Sequence, residues 1–180
     1  MKNDPNILKF RRHMAGLAII VAAGSLAGSA NAAPAAVTRT GAPTAIISST
    51  VTEPVGYETI YLSGMTGTLP APAGSPAGTP GPDSGDTEAQ ATRALSGPIK
   101  DALTSKGLGF GDIVMMHAYL APDPATGRGD LAGWGRAYSK FFGTADQPNK
   151  PSRTSITVVL GSPTAKIEIE TIAVRKPTGN

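Results

Sequence analysis

The chain has 180 residues, a formal net charge of +3 and no cysteine. The lack of cysteine excludes disulfides, a thiolate nucleophile and a cysteine-ligated zinc site. The 16 lysine and arginine residues do not form a basic stripe with interleaved aromatic residues, so the composition does not predict a nucleic-acid partner.

The first 32 residues are typical of a signal peptide. Three basic residues precede an apolar run over residues 14–28, and Ala30-Asn31-Ala32 supplies the small residues that a signal peptidase requires. A membrane anchor is the alternative, but glycines interrupt a run that is shorter than the ~20 apolar residues needed to span a bilayer. We therefore expect cleavage after Ala32 and export to a bacterial periplasm. The pair Arg11-Arg12 would also allow twin-arginine export, although general secretion is the default.

Cleavage would change the charge balance of the protein. It would remove four of the 16 basic residues and one of the 13 acidic residues, which leaves 12 of each and no net charge. The high isoelectric point is then a property of the targeting segment rather than of a nucleic-acid-binding surface. Residues 33–43 are expected to be a flexible lead, and residues 44–176 are long enough for one domain with its own core. No stable membrane span is expected after cleavage.

The first half of this domain is predicted to contain a hairpin and a long loop. Short strands are predicted over residues 45–50 and 59–63, and the hairpin would end at Ser63-Gly64. Residues 69–85 hold five prolines among glycine, alanine and serine, a composition that predicts a surface loop. Such a loop is either a disordered insertion or a lid, and we favour disorder because it has almost no large side chain for docking.

Two helices are predicted from apolar spacing. In the first, Thr87 and Gln90 match a capping box, apolar residues recur every four positions until Gly107, and Pro98 predicts a kink. Asp130 is a suitable N-cap for the second, which would extend to about residue 142. Its large apolar residues are typical of a core-facing stripe: Leu131, Trp134, Tyr138 and Phe141 or Phe142.

Three more strands complete the predicted fold. The apolar run 112–120 is typical of a strand covered on both faces, and we interpret its His117 as a packed or hydrogen-bonded residue rather than a ligand or base. Runs 155–160 and 166–174 follow, joined by a turn, and are expected to be neighbours. This element order predicts an α+β or α/β sandwich with helices on one face of a mixed sheet.

The residues with the clearest chemistry lie near the last two strands. Arg153 precedes the first of them, and Glu168 and Glu170 share one face of the second. A guanidinium can hold a small carboxylic acid while a nearby carboxylate positions a water. From the residues alone, Arg153 and Glu168 could equally be a strand-end arginine and a solvated carboxylate, and Glu170 could replace Glu168.

These segments resemble the RidA/YjgF family of enamine/imine deaminases. The correspondence runs from about residue 59 to residue 175 and is most specific in P-S-R-T-S-I-T-V (151–158) and K-I-E-I-E-T-I-A-V (166–174). The resemblance implies a fold like that of chorismate mutase, in which a mixed sheet carries two helices on one face. It also implies a trimer with a site at each subunit interface.

The resemblance assigns roles to particular residues. Arg153 corresponds to the residue that holds the substrate carboxylate, and Glu168 to the one that positions the hydrolytic water. Four more residues correspond to positions that line the pocket: Ser63, Gly64, Tyr138 and Ser155. The family's tyrosine-bearing GPYSQA-like segment has no match over residues 47–55.

The implied reaction is the hydrolysis of 2-iminobutanoate, 2-iminopropanoate and related products of enamines such as 2-aminoacrylate to 2-keto acids and ammonia. Neither a metal nor an organic cofactor is expected, because one histidine and scattered acids remain after cleavage. The alternative is a non-catalytic exported trimer that binds a small carboxylate or a partner protein.

Overall fold

The computed structural model describes residues 36–177. The predicted signal peptide, residues 1–32, lies outside this range. The described part is an α+β domain with a four-stranded mixed sheet and a separate two-stranded sheet, and it contains no helix of the length and apolar character that a membrane crossing requires. In chain order the elements are β1 (Thr38–Thr40), β2 (Thr50–Thr52), β3 (Glu58–Thr66), α1 (Thr87–Ala94), a π-helical turn (Leu95–Ile99), α2 (Lys100–Ser105), a 3-10 turn (Phe110–Asp112), β4 (Ile113–Leu120), α3 (Leu131–Tyr138), β5 (Ser152–Thr157) and β6 (Ile167–Arg175).

The main sheet has the strand order β3-β6-β4-β5. Strand β6 is antiparallel to β3 and β4, whereas β4 and β5 are parallel and are connected through α3. The expectation that the last two strands are neighbours is therefore wrong, because β4 lies between them. The connection formed by residues 158–166 is long for a hairpin, and it lets the chain pass β4 and pair beside β3.

One face of the main sheet packs against the helices and forms the core. Alternate residues of β4 and β6 face this core, as the period of two in a strand requires. On the opposite face of the sheet, which we call the open face, β4 carries Met115, which is 37% exposed, and the half-buried His117 and Tyr119. The strand was expected to be covered on both faces, but within one chain it is covered on one. The core residues from the two strands include Met116, Ala118, Leu120, Ile167, Ile169 and Ala173.

The N-terminal strands pair differently from the prediction. Strand β2 is antiparallel to β1, with Thr40 opposite Thr50, so the predicted hairpin between residues 45–50 and 59–63 is wrong. An ordered strand also lies within the expected flexible lead, residues 33–43. Ser48 explains the difference, because its N–H donates to the Pro151 carbonyl at 3.0 Å and its hydroxyl donates to the Lys150 carbonyl at 2.6 Å. This segment is therefore held at the start of β5 and not beside β3.

The first helix is interrupted where proline predicted a kink. A π-helical turn separates α1 from α2, and Gly97 within it has φ −108° and ψ −106°, outside the helical range. This backbone conformation accommodates Pro98, which cannot donate a helical hydrogen bond. Leu95, Ile99 and Leu103 are buried on both sides of the kink, so the apolar stripe stays in phase and the kink prediction is confirmed.

The cap of α1 differs from the predicted capping box. Asp86 is the N-cap, and its Oδ1 accepts the Ala89 N–H at 2.8 Å. Gln90 is fully buried and holds the connection before β6 instead: its Nε2 donates to the Thr164 carbonyl at 2.9 Å and its Oε1 accepts the Lys166 N–H at 2.8 Å. A glutamine suits both roles, so the sequence pattern alone did not separate them.

The loop over residues 69–85 contains no helix or strand, as predicted. Its two ends are fastened to the domain rather than free. The buried Ser84 Oγ accepts the Leu69 N–H at 2.8 Å, which closes the base of the loop. Arg93 of α1 donates to the carbonyls of Gly67 and Ser84, so one side chain joins both ends to the helix.

Helix α3 begins where the sequence predicts. The carboxylate of Asp130 accepts the Gly133 N–H at 2.8 Å, which confirms the N-cap. The helix ends at Tyr138, four residues earlier than expected, and the chain continues as turns to Phe142. Trp134, Tyr138 and Phe142 are buried as predicted, but Leu131 is 59% exposed and does not belong to the core.

Replacing Gln90 by leucine should destabilise the domain, because the part-buried backbone groups of Thr164 and Lys166, just before β6, would lose their partner. We expect a loss of about 3 kcal/mol in the free energy of unfolding. Urea denaturation followed by circular dichroism would measure it. Ser105→Ala at the exposed end of α2 is the control, with an expected change of less than about 0.5 kcal/mol.

Candidate functional site

The sequence had indicated that Arg153 precedes a strand, but the residue lies inside β5. It pairs with Met116 of β4, a core residue, so its side chain points to the helix-bearing face of the sheet. There the guanidinium carbon lies 4.3 Å from the ring centroid of Tyr138 and 5.2 Å from that of Trp134. Both distances are within the range of cation–π contacts.

The guanidinium of Arg153 has no charged partner within the described residues. Its Nη1 is buried and makes no hydrogen bond to any atom of residues 36–177. Burial lowers the pKa of Arg153, and the electrostatic influence of Tyr138 acts in the opposite direction. Arginine stays protonated at neutral pH despite such a shift, so a positive charge is held beside two rings with donor capacity left over.

Tyr138 contributes its ring rather than its hydroxyl to this cluster. The side chain is 1% exposed and stacks on Phe142 with ring centroids 4.6 Å apart. Burial raises the pKa of Tyr138 to about 12, while the charge of Arg153 acts to lower it. The phenol is therefore neutral at physiological pH and cannot serve as an anionic partner for Arg153.

Ser155 lies two residues beyond Arg153 on the same face of β5. Its Oγ accepts a hydrogen bond from Nε1–H of Trp134 at 3.1 Å. Trp134 is fully buried and packs edge-on against Tyr138 with ring centroids 5.6 Å apart. The predicted residues Arg153, Tyr138 and Ser155 are thus brought together, and Trp134, which the sequence indicated only as a core residue, links them. We call these four residues the arginine cluster.

Glu168 lies on the other face of the sheet, with its carboxylate next to Gly64 of β3. The pairing of β3 with β6 shifts register between Leu62 and Met65, so the strand continues through Ser63-Gly64 instead of ending there. A β-carbon added at Gly64 would overlap the carboxylate of Glu168. The small residue therefore lets this carboxylate lie directly against the backbone of β3.

Glu170, the competing carboxylate, is already engaged. Its Oε2 accepts the Tyr119 hydroxyl at 2.9 Å and lies 3.3 Å from Nδ1 of His117. The hydrogen bond to Glu170 raises the pKa of Tyr119. Glu168 makes no side-chain hydrogen bond within residues 36–177, so of the two carboxylates it is the one left available to a water or a ligand. His117 is hydrogen-bonded, as the sequence analysis had favoured.

The arginine cluster and Glu168 do not meet within one chain. Glu168 pairs with Tyr119 on the open face of the sheet, whereas Arg153 points to the helix side, and β4 separates their strands. The sequence analysis expected the two residues to meet because it took β5 and β6 as neighbouring strands. Among residues 36–177, no group of three or more histidine, aspartate or glutamate side chains is arranged to hold a metal ion.

A sequence profile described as endoribonuclease L-PSP matches residues 48–175, well over half of the chain. The chain belongs to this family. This match confirms the resemblance seen in the sequence, and solved structures of Rid and YjgF proteins are similar to the chain. No functionally curated protein matches the chain.

Three solved structures illustrate the similarity. YyfB of the Rid family from Yersinia pestis is 23% identical, with a TM-score of 0.53 over 71% of this chain and 85% of that one. TdcF from E. coli, solved with bound serine, is 27% identical, with a TM-score of 0.50 over 67% of this chain and 83% of that one. The YjgF gene product from E. coli is 31% identical, with a TM-score of 0.48 over 65% of this chain and 80% of that one.

The contact between Gly64 and Glu168 in this Rid-family protein can be tested directly. In Gly64→Ala, the carboxylate should swing away from β3, because the long glutamate side chain yields more easily than the strand. A crystal structure of the variant would show the displacement. Gly135→Ala is the control, since a β-carbon there meets nothing within 4 Å and should leave Glu168 in place.

Proposed function

We propose that this protein is a cofactor-independent enamine/imine deaminase that hydrolyses small 2-imino acids, such as 2-iminobutanoate and 2-iminopropanoate, to 2-keto acids and ammonia. The observation that carries the proposal is the Arg153 guanidinium, held against two aromatic rings with a buried, unpaired Nη1. A buried donor without an acceptor is costly, and a ligand carboxylate would supply the missing partner of Nη1.

TdcF supports the ligand class. That relative was solved with bound serine, a small molecule that carries a carboxylate. The 2-imino acids have the same carboxylate beside the reacting carbon. We therefore assign the ligand carboxylate to Arg153 and expect 2-keto acids, the products, to bind there as well.

The proposed chemistry needs an oriented water and a proton acceptor. With the carboxylate held by Arg153, the imine carbon is presented to a water that donates a hydrogen bond to Glu168. As the water oxygen bonds to the imine carbon, Glu168 takes a proton from it. Glu168 returns this proton to the nitrogen, which gives a carbinolamine. As the carbinolamine collapses to the ketone, its hydroxyl proton is transferred to the departing nitrogen, which leaves as ammonia.

The two groups needed for this reaction lie on opposite faces of one chain's sheet, and we propose that a trimer unites them. The open face supports this, because it exposes large apolar side chains that include Tyr61 at 75% and Ile156 at 47%. In such an assembly, Arg153 of one subunit would face Glu168 of a neighbour. Each site would then require two chains.

We also propose that the mature protein begins at Ala33 and acts in a bacterial periplasm, as the N-terminal sequence predicts. The competing function is a non-catalytic exported trimer that binds a small carboxylate or a partner protein. It would use the same Arg153 without turnover. Detecting ammonia and keto acid separates the two.

The assembly proposal predicts a trimer in solution. Light scattering coupled to size exclusion should give three times the mass of the mature chain at micromolar concentration. Tyr61→Lys, which places a charge on the open face, should weaken association and reduce turnover together. A fully active monomer would contradict the shared site.

Arg153→Lys should strongly reduce imine hydrolysis while leaving the fold intact. Lysine keeps the charge but lacks the planar fork that grips both carboxylate oxygens, so we expect about a ten- to hundredfold loss in kcat/KM. Imines generated in situ by an amino-acid oxidase, with ammonia release followed over time, would measure it.

Two variants sharpen this experiment. Glu168→Gln should lower turnover with little change in 2-keto-acid affinity, because the amide can orient a water but cannot take its proton. Glu170→Gln is the matched control on the same strand face and should retain more activity. If Arg153→Lys is fully active, or the wild type hydrolyses no imino acid, the deaminase proposal fails.

A further inference from the structure

The hydroxyl of Ser155 is hydrogen-bonded to Trp134, which restricts its orientation. Because Oγ accepts the indole N–H at 3.1 Å, the hydroxyl hydrogen of Ser155 must point elsewhere. No atom of residues 36–177 accepts that hydrogen. Ser155 is half-buried, so it is neither sealed in the core nor freely solvated.

This free donor lies beside Arg153. The two residues are separated by one position on β5, so their side chains project from the same face of the strand. The pairing partners agree, since Arg153 lies opposite Met116 and Ser155 opposite Ala118, both of them core residues of β4. The guanidinium and the hydroxyl are therefore neighbouring donors without acceptors in the described chain.

Trp134 contacts both donors. Its ring lies 5.2 Å from the guanidinium carbon of Arg153, while its N–H is bonded to Ser155. The side chain has no exposed surface, and its N–H would lose its partner if the serine were removed. A phenylalanine could fill much of the same volume and keep a ring near Arg153, but it could not orient the hydroxyl.

We infer that Ser155 is a second ligand-binding residue, which donates its hydroxyl hydrogen to the carboxylate held by Arg153, and that Trp134 is the positioning residue that aims it. This inference rests on the proposed function, because the ligand is the carboxylate of a 2-imino or 2-keto acid. Together, a guanidinium and an oriented hydroxyl favour a carboxylate over its neutral amide or ester.

The test measures the affinity of the purified assembled protein for 2-ketobutyrate by calorimetry. Ser155→Ala should weaken binding about tenfold, because a hydrogen bond to a charged group is lost. Trp134→Phe should weaken it by about threefold, because the hydroxyl remains but is no longer oriented. Ser155→Thr, which keeps a hydroxyl, should bind more tightly than Ser155→Ala.

A double-mutant cycle separates positioning from general packing. If the indole acts through Ser155, Trp134→Phe combined with Ser155→Ala should bind no more weakly than Ser155→Ala alone. Fully additive losses would mean that Trp134 acts only through packing, and they would overturn its positioning role. Thr157→Val, which removes another hydroxyl from the same face of β5, should leave the affinity unchanged.

The outcomes distinguish this inference from the proposed function. Loss of binding in Arg153→Lys with wild-type affinity in folded Ser155→Ala would refute the inference and leave the deaminase proposal standing. A wild-type protein that binds no 2-keto acid would refute both. If Trp134→Phe does not fold, Ser155→Ala and Ser155→Thr still decide whether the hydroxyl contacts the ligand.

Discussion

The contact between the Arg153 guanidinium and the rings of α3 joins the site to the topology of the fold. Tyr138 and Trp134 lie four residues apart on one helix face, so both rings can reach a single side chain on β5. The same helix connects β4 to β5 and makes their pairing parallel. Any shift of α3 across the sheet would therefore move the cation and the strand that carries it. The ring contacts stabilise the positive charge of Arg153 but do not satisfy its N–H donors. This arrangement suits a site that binds an anionic ligand better than a purely structural core.

Much of the fold could be predicted from local patterns. The apolar stripe through Leu95, Ile99 and Leu103 and the proline at position 98 together predicted a kinked helix, and Asp130 marked the start of α3. These features depend on near neighbours in sequence. Strand pairing was predicted less well. Residues 45–50 were assigned to a hairpin, but long-range contacts of Ser48, which no local pattern records, hold this segment at the start of β5.

The candidate site shows the same division between local and long-range information. The family resemblance pointed to Arg153, Glu168 and Gly64. In the structure, Arg153 lies against two aromatic rings and the carboxylate of Glu168 packs against Gly64. The sequence could not choose between Glu168 and Glu170, since both lie on one strand face. That choice depends on Tyr119, which comes from another strand and engages Glu170. Trp134 was missed as a site residue because its helical spacing fits a core side chain equally well.

The two ends of the proline-rich loop, residues 69–85, are fastened to each other and to α1, so the length of the loop has little effect on the rest of the domain. Hydrogen bonds of Arg93 and Ser84 hold residues 67, 69 and 84 together. The contacts of the loop ends with α1 therefore stay the same whatever the length of the loop between them. The entropic cost of lengthening such a loop grows only logarithmically with the number of residues. This surface can therefore gain or lose residues, or accept a grafted peptide, while the arginine cluster and Glu168 keep their positions.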